Sequence, residues 1–373
     1  MSASDPLATL RDAIAGVDRS LLELLRRRME LAGQIGRVKA ASGAPIVVHD
    51  VEDRVLGRAR EQAASCGVSE AVLEEVFRAV IRASVERQHR VGVALREQRG
   101  ERLLIAGGAG GMGGWFRAFF ALAGHTVDVA DPALAGLPSQ PGCFASLDEV
   151  ADLDAYAAVL VAVPLARMPE MLEQLVARSP RALLVEIASI KDALAAALAR
   201  ASRAGVRVLS LHPMFGPGKS QYEPLTFVLA TRRDPRIETA EIEPFLSHPY
   251  TEVVAIPFAR HDRLMGWLLG LAHLTSMLFG AALLRSGIDA AELHACASTT
   301  FLRQAATARS VLGEDSDLYL DIQRLNPFRS EVYSAAQEAL TELVRLVEAN
   351  DRGAFRDMLG AARKTLGAKD EDP

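Results

Sequence analysis

The chain has 373 residues, a length that predicts two or three domains rather than one. Half of its residues are hydrophobic and 24% are charged, and 42 basic against 47 acidic side chains leave a net charge of -5, which excludes general disorder and disfavours non-specific nucleic-acid binding. Cys66, Cys143 and Cys296 form a scattered, odd trio without a CxxC pair, so neither a disulfide framework nor a metal site is expected and a reducing, cytoplasmic setting fits. Asp5 and Arg11 fall where a signal peptide needs an unbroken apolar run. The stretch Trp267 to Leu284 is interrupted by His273, Thr275 and Ser276 and lacks flanking basic clusters, so it reads as a helix buried in a domain or dimer core rather than a membrane span.

From Leu7 to Ala41 there is no proline, and Leu7, Leu10, Ile14, Val17, Leu21, Leu24, Leu31, Ile35 and Val38 recur at steps of three and four, which predicts one amphipathic helix. At 1.5 Å per residue that helix is roughly 50 Å long, longer than a small domain is wide. Part of its apolar stripe therefore needs outside cover, most simply a partner chain. Gly43 and Pro45 end it, and helical patterns resume from about Asp50 to Ser65 and from Ser69 to Arg90, with Ser69 placed as an N-cap. Arg28 stands seven residues after Leu21 and seven before Ile35, where the stripe reserves a core position, and a cation there needs an anionic partner. Lys39 lies three turns beyond Arg28 on the same face, whereas Arg11 is about 100° off it, does not readily serve the same pocket from within one chain, and could serve the pocket of a partner. Ser84 and Gln88 are neighbours one turn apart on the third helix. The same residues also read as an exposed helix face on which Arg28 pairs with a nearby glutamate.

The segment LRDAIAGVDRSLLELLRRRMELAGQIGRVKAASGAPI resembles the first helix of the all-helical chorismate mutases, and the resemblance covers the first ninety residues. It implies an intertwined homodimer that binds chorismate through Arg11 (donated across the dimer), Arg28, Lys39, Glu52, Ser84 and Gln88, and rearranges it to prephenate. Lys39 and Gln88 would face the ether oxygen, where charge grows, while Arg11 and Arg28 would clamp the carboxylates. Two positions depart from that family: an arginine expected just before Glu52 falls on Val51, and an acidic residue three positions earlier falls on Val48. Arg54 or Asp50 could substitute if the second helix starts differently.

Beyond the polar stretch Arg96 to Arg102 the grammar changes. Leu103-Leu104-Ile105-Ala106 reads as a buried strand, followed by Gly108, Gly110, Met112 and Gly113 in a GxGxxG run, a helix from about Gly114 to Ala123, and a strand from Thr126 to Ala130 ending at Asp131. In that setting the glycines let the backbone approach a pyrophosphate, and Asp131 accepts ribose hydroxyls and repels a 2′-phosphate, so NAD is the expected cofactor. Strands at Ala158 to Pro164, Ala182 to Ile187 and Val206 to Leu211 alternate with helices near Ala166 to Ala177 and Lys191 to Arg203. Their ends gather along one crevice. His212, held by Pro213 at a strand end, is placed for chemistry: a neutral imidazole of pKa about 6.5 accepts a hydroxyl proton as hydride leaves the same carbon. Ser189 either orients ring or substrate or caps the helix that follows.

The runs LLIAGGAGGMGGWFRAFFALAGHTVDVADP, VAVPL, EIASIKDAL and LHPMFGPGKS, in this order, resemble prephenate dehydrogenases. With the mutase-like segment in front, nearly the whole chain is similar to the bifunctional chorismate mutase/prephenate dehydrogenases of tyrosine biosynthesis. The resemblance implies oxidative decarboxylation of prephenate to 4-hydroxyphenylpyruvate, with His212 as the catalytic histidine and Ser189 near the substrate hydroxyl. The chain is helical again from Pro257 to about Leu366, and HDRLMGWLLGLAHLTSMLFGAALL is too broadly apolar for a surface helix. Here the resemblance places His261, His273 and Arg303 near prephenate, with Arg303 binding the ring carboxylate through its planar fork. On the residues alone, His273 reads equally as a core histidine, His261 with Asp262 as a surface ion pair, and Arg303 as a helix edge. The acidic tail after Ala368 is expected to be disordered.

The expected fold class is thus multi-domain α and α/β: an all-helical chorismate mutase-like domain over 1–92, a Rossmann-like dinucleotide-binding domain over 101–250, and a helical dimerisation and substrate domain over 251–373. The expected protein is a cytoplasmic homodimeric enzyme acting on chorismate and prephenate, with NAD, no metal, no nucleic acid and no membrane. Two alternatives stay open: the helical module is non-catalytic, or both activities act on 4-amino-4-deoxy analogues.

Overall fold

The computed structural model describes residues 6–46, 48–95, 100–138, 140–178, 180–248 and 250–367. Residues 96–99 of the expected linker and the acidic tail after residue 367 lie outside them. The chain divides into two compact units: Met1–Val163, Glu170–Ile187 and Ala197–Ile256 form the first, and Pro164–Pro169, Ala188–Ala196 and Pro257–Pro373 the second.

The first unit opens with three helices, α1 (Pro6–Ser42), α2 (His49–Cys66) and α3 (Glu70–Leu95). Its own chain covers α1 only in the C-terminal part: Ala32, Gly33 and Gly36 are buried, while Leu7, Leu10, Ile14, Val17, Leu21 and Leu24 are each more than half exposed. The crossing of α1 with α3 needs small residues, because a Cβ on Gly36 would lie 2.6 Å from the backbone oxygen of Gln88. Leu56, Ile81 and Val85 form a small core between α2 and α3. Val72 N–H donates to Ser69 Oγ at 3.4 Å, as an N-cap should.

One sheet follows, of β1 (Arg102–Ala106), β2 (Thr126–Ala130), β3 (Cys143–Phe144), β4 (Ala158–Val161), β5 (Leu183–Glu186), β6 (Val208–Pro213), β7 (Leu225–Thr231) and β8 (Thr251–Pro257). Helices α4 (Gly111–Leu122), α5 (Met168–Ala177), α6 (Ala195–Arg203) and α7 (Pro235–Leu246) intervene. The strand order is β3-β2-β1-β4-β5-β6-β7-β8; β1 to β6 pair in parallel, and β7 returns antiparallel to β6 with His212 opposite Val228. Leu104 and Ile105 are wholly buried, as the unbroken apolar runs of a sheet covered on both faces require. Burying one such side chain contributes about 1.5–3 kcal/mol. Phe116 and Phe119 of α4 pack with Leu211 and Phe227 in the main core.

Three features differ from the expectation. Helix α4 starts at Gly111 rather than Gly114, so Gly113 lies inside its first turn, where a Cβ would sit 2.1 Å from the Gly107 oxygen. The antiparallel return through β7, α7 and β8 was not foreseen, because right-handed parallel crossovers do not predict it. The sheet consequently extends to Pro257, past the boundary drawn at 250. The connections before β7 and β8 also touch α3 through rings: His89 stands 4.8 Å from His248 and 5.9 Å from Tyr222, while Tyr250 packs on the Leu56, Ile81 and Val85 core. Burial, with His89 adjacent, pushes His248 down to about 3.

In the second unit α8 (Phe258–Met265) runs through a π-helical turn, Gly266–Leu271, into α9 (Ala272–Ser286), and α10 (Ala290–Ala295), α11 (Thr299–Leu312), α12 (Ser316–Leu325), α13 (Arg329–Glu348) and α14 (Arg352–Thr365) follow. Gln323 Nε2 donates to the Gly270 carbonyl at 3.0 Å, satisfying an acceptor in the widened turn. The apolar stretch is not buried within one chain: in Phe258–Ser286, long and apolar enough by composition to cross a membrane, 11% of the most apolar window is covered. Leu268, Leu278 and Leu284 are exposed because no described element of the same chain lies over them.

Candidate active sites

Arg28 and Lys39 from α1, Glu52 from α2, and Ser84 and Gln88 from α3 line one cavity of about 260 Å³. Arg28 Nε donates to Ser84 Oγ at 3.2 Å, and Ser84 Oγ donates to the Val80 carbonyl at 2.7 Å. Arg28 is half-buried and takes Ser84 as its hydrogen-bond partner, while Glu23 and Glu30 pair with Arg26, so the exposed-face reading of Arg28 does not hold. Lys39 Nζ donates to the Ile46 carbonyl at 2.6 Å. Burial holds its ammonium below the usual lysine range, against the opposing pull of Glu52. Gln88 Oε1 is buried without a hydrogen-bond partner among the described residues. Val48 and Val51 also line the cavity, beside Glu52. Neither Arg54 nor Asp50 takes their place there. Arg11 is exposed on α1, outside this cavity.

The second set of residues surrounds the carboxyl end of β1. Gly107 takes φ 87°, open to glycine, and a Cβ on it would meet the Ala162 oxygen at 2.6 Å. A Cβ on Gly108 would lie 2.5 Å from Val129, whereas one on Gly110, the residue before α4, meets nothing closer than 3.5 Å. A Cβ on Gly110 would make only an ordinary contact with the Gly107 oxygen, so the backbone is uncrowded beside the first N–H groups of α4, the place a pyrophosphate takes. Asp131 Oδ2 accepts from Ala109 N–H at 3.0 Å and Oδ1 from Ala133 N–H at 2.8 Å, so this carboxylate is fixed at the rim of the glycine loop. Met112 is half-buried in the first turn of α4. His212 is buried at the end of β6.

Ser189 belongs to the second unit and is half-buried in a turn fixed by Asp262. Lys191 N–H donates to Asp262 Oδ1 at 2.8 Å, Asp192 N–H to Oδ2 at 2.7 Å, and His261 Nδ1 lies 2.7 Å from Oδ1. Asn326 Nδ2 donates to the Asp262 carbonyl at 2.8 Å. His261 and Asp262 are both buried, so the surface-pair reading fails. The turn at Asp192–Leu194 starts from Lys191, so Ser189 does not cap it. His273, on α9, rests its ring 4.5 Å from that of Tyr319, and burial lowers its pKa. Arg303 is exposed on α11, a helix tied to α9 by Phe279 against Phe301.

Residues 10–89 match the family model of type II chorismate mutases, and residues 143–230 that of the nucleotide-binding domain of prephenate dehydrogenases. A T-protein of Enterobacter agglomerans is 28% identical over 358 residues, 94% of this chain and 90% of the relative. This chain joins a chorismate mutase to a prephenate dehydrogenase. A 4-amino-4-deoxyprephenate dehydrogenase of Streptomyces pristinaespiralis is 29% identical over 274 residues, 71% of this chain and 91% of its own length. The prephenate dehydrogenase of A. aeolicus, solved with hydroxyphenyl propionate and NAD+, shares the fold at a TM-score of 0.58 and 17% identity, covering 72% of this chain and 98% of that one.

The chain is therefore a bifunctional enzyme of tyrosine biosynthesis, and NAD is its cofactor. The glycine loop and Asp131 precede the matched dehydrogenase span, and their fit to NAD stands on the uncrowded backbone at Gly110 and the fixed carboxylate. Asp262 was missed in the sequence. An adjacent His-Asp pair carries no mark of burial, and its bonds reach residues about seventy positions away.

Proposed function

We propose that the helical cavity is the mutase site and that His212 is the base of the dehydrogenase. What carries the first assignment is the convergence of Arg28, Lys39, Glu52, Ser84 and Gln88, from three helices, on one cavity. The rearrangement of chorismate to prephenate is pericyclic and needs no nucleophile, so the protein's part is to hold the reactive conformer and stabilise charge on the ether oxygen. Arg28 and an Arg11 from a second copy clamp the carboxylates, Lys39 and Gln88 face the ether oxygen, and Glu52 and Ser84 accept and donate around them. The uncovered apolar stripe of α1 and the uncovered faces of α8 and α9 support a homodimer that buries both.

In the dehydrogenase NAD supplies the hydride acceptor, held by Gly108, Gly110, Met112, Gly113 and Asp131. His212 accepts the hydroxyl proton of prephenate as hydride leaves C4. The bonding pair of the departing ring carboxylate aromatises the ring, carbon dioxide leaves, and the proton returns to the phenolic oxygen. The resemblance assigns Ser189 a place near the hydroxyl, His273 one near prephenate, and Arg303 the ring carboxylate, which its planar fork suits. A cytoplasmic setting is supported by Cys66, Cys143 and Cys296, all free thiols.

A second reading is favoured by one observation: beside Glu52 the cavity is lined by Val48 and Val51, so α2 brings no arginine to it. A carboxylate so placed also suits an ammonium at C4, and one relative is a 4-amino-4-deoxyprephenate dehydrogenase. Turnover of chorismate and of 4-amino-4-deoxychorismate by the purified chain separates the readings. We expect kcat/KM for chorismate to be higher by at least about tenfold, the discrimination a single polar contact provides; a reversed ratio establishes the amino substrate.

A further inference from the structure

Gln88 and His89 are consecutive on α3 but serve different neighbours. Gln88 lines the mutase cavity with its buried Oε1 unpartnered, and its backbone is pressed against Gly36 of α1. His89 meets the dehydrogenase connections that lead into β7 and β8: its ring stands 4.8 Å from His248, and its Nδ1 lies 3.5 Å from the hydroxyl of Tyr222. His248 packs in turn against Phe119 of α4 at 5.4 Å. Two residues on, Tyr250 rests on Ile81 and Val85, which themselves line the cavity, and the Tyr250 carbonyl accepts from Leu225 N–H of β7 at 2.8 Å. His89, Tyr222 and His248 are each less than one-tenth exposed, so this is a closed packing layer and not a solvated seam.

We propose that His248 and Tyr250, carried by the connection from α7 into β8 of the dehydrogenase, are positioning residues of the mutase site. They form the back wall that fixes the α3 turn, and hence the place at which Gln88 stands in the cavity. On the opposite side α1 packs against that turn at Gly36, so a void at His248 removes its backing and frees it to shift. A shift of about 1 Å in a group that must meet the ether oxygen costs a large factor in rate. The proposal rests on the cavity being the mutase site.

The test is a double-mutant cycle in the full-length chain, with mutase and dehydrogenase turnover measured on each variant. His248→Ala lowers mutase kcat/KM by about tenfold, His248→Phe, which keeps the ring, recovers most of it, and prephenate oxidation stays within about twofold in both. In a Gln88→Ala background the same His248→Ala change costs less than about twofold, because the group it positions is gone. If His248→Ala does not fold, Tyr250→Leu enters the same cycle with the same expectations. An unchanged mutase rate, a proportional loss of both activities, or a full additive loss in the Gln88→Ala background overturns the proposal while leaving the mutase reading intact. An unsubstituted chain that does not consume chorismate overturns both.

Discussion

Replacing His212 with asparagine lowers kcat for prephenate oxidation by about 10²–10⁴-fold, the range that one positioned proton acceptor supplies. Asparagine keeps a polar side chain of similar size at the end of β6, and the pairing of residue 212 with Val228 depends on backbone alone, so the sheet survives the change. KM for prephenate moves little, because proton transfer is made only on the way to the transition state. The mutase rate stays within about twofold, since α1, α2 and α3 supply that cavity and His212 is not among its lining residues. Steady-state kinetics with chorismate and prephenate in separate assays check both halves. Equal loss of the two activities contradicts separate sites.

The converse variant, Lys39→Ala, removes mutase activity by about 10²–10³-fold, the loss seen when one preorganised donor to a developing oxyanion is deleted. Lys39 is the cation nearest the C-terminal end of α1 in the cavity, and its Nζ already donates to Ile46, whose carbonyl holds the ammonium in place. Burial shifts its ionisation down, so the charged form is lost on the alkaline side sooner than for a solvated lysine. The mutase rate of the unsubstituted chain therefore falls as pH rises through that lowered value, and Lys39→Ala abolishes this limb. Prephenate oxidation by Lys39→Ala stays within about twofold. A variant with a mutase rate near that of the unsubstituted chain removes Lys39 from the chemistry.

What was legible in the sequence was local or periodic. The alternating three and four spacing of Leu7 to Val38 is a property of one helix, and α1 runs from Pro6 to Ser42. The phase of Arg28, Lys39, Ser84 and Gln88 along their helices sufficed to put them on one side, and they line one cavity. The glycine run, with a strand before it and Asp131 after it, carries its own geometry. Hidden were features made by residues distant in sequence. Asp262 acts on the backbone of Lys191 and Asp192, and His89 meets His248 across more than a hundred and fifty residues. β7, antiparallel to β6, breaks the parallel rule that ordered β1 to β6, and the π-helical turn before His273 has no composition that marks it.

Purified protein supplied with chorismate and NAD alone tests the central claim, that one chain carries out both steps. NADH forms after a lag in which prephenate accumulates, and its final amount equals the chorismate added, with one carbon dioxide released for each. NADH formation from prephenate but none from chorismate contradicts the mutase assignment, and none from either contradicts the account as a whole.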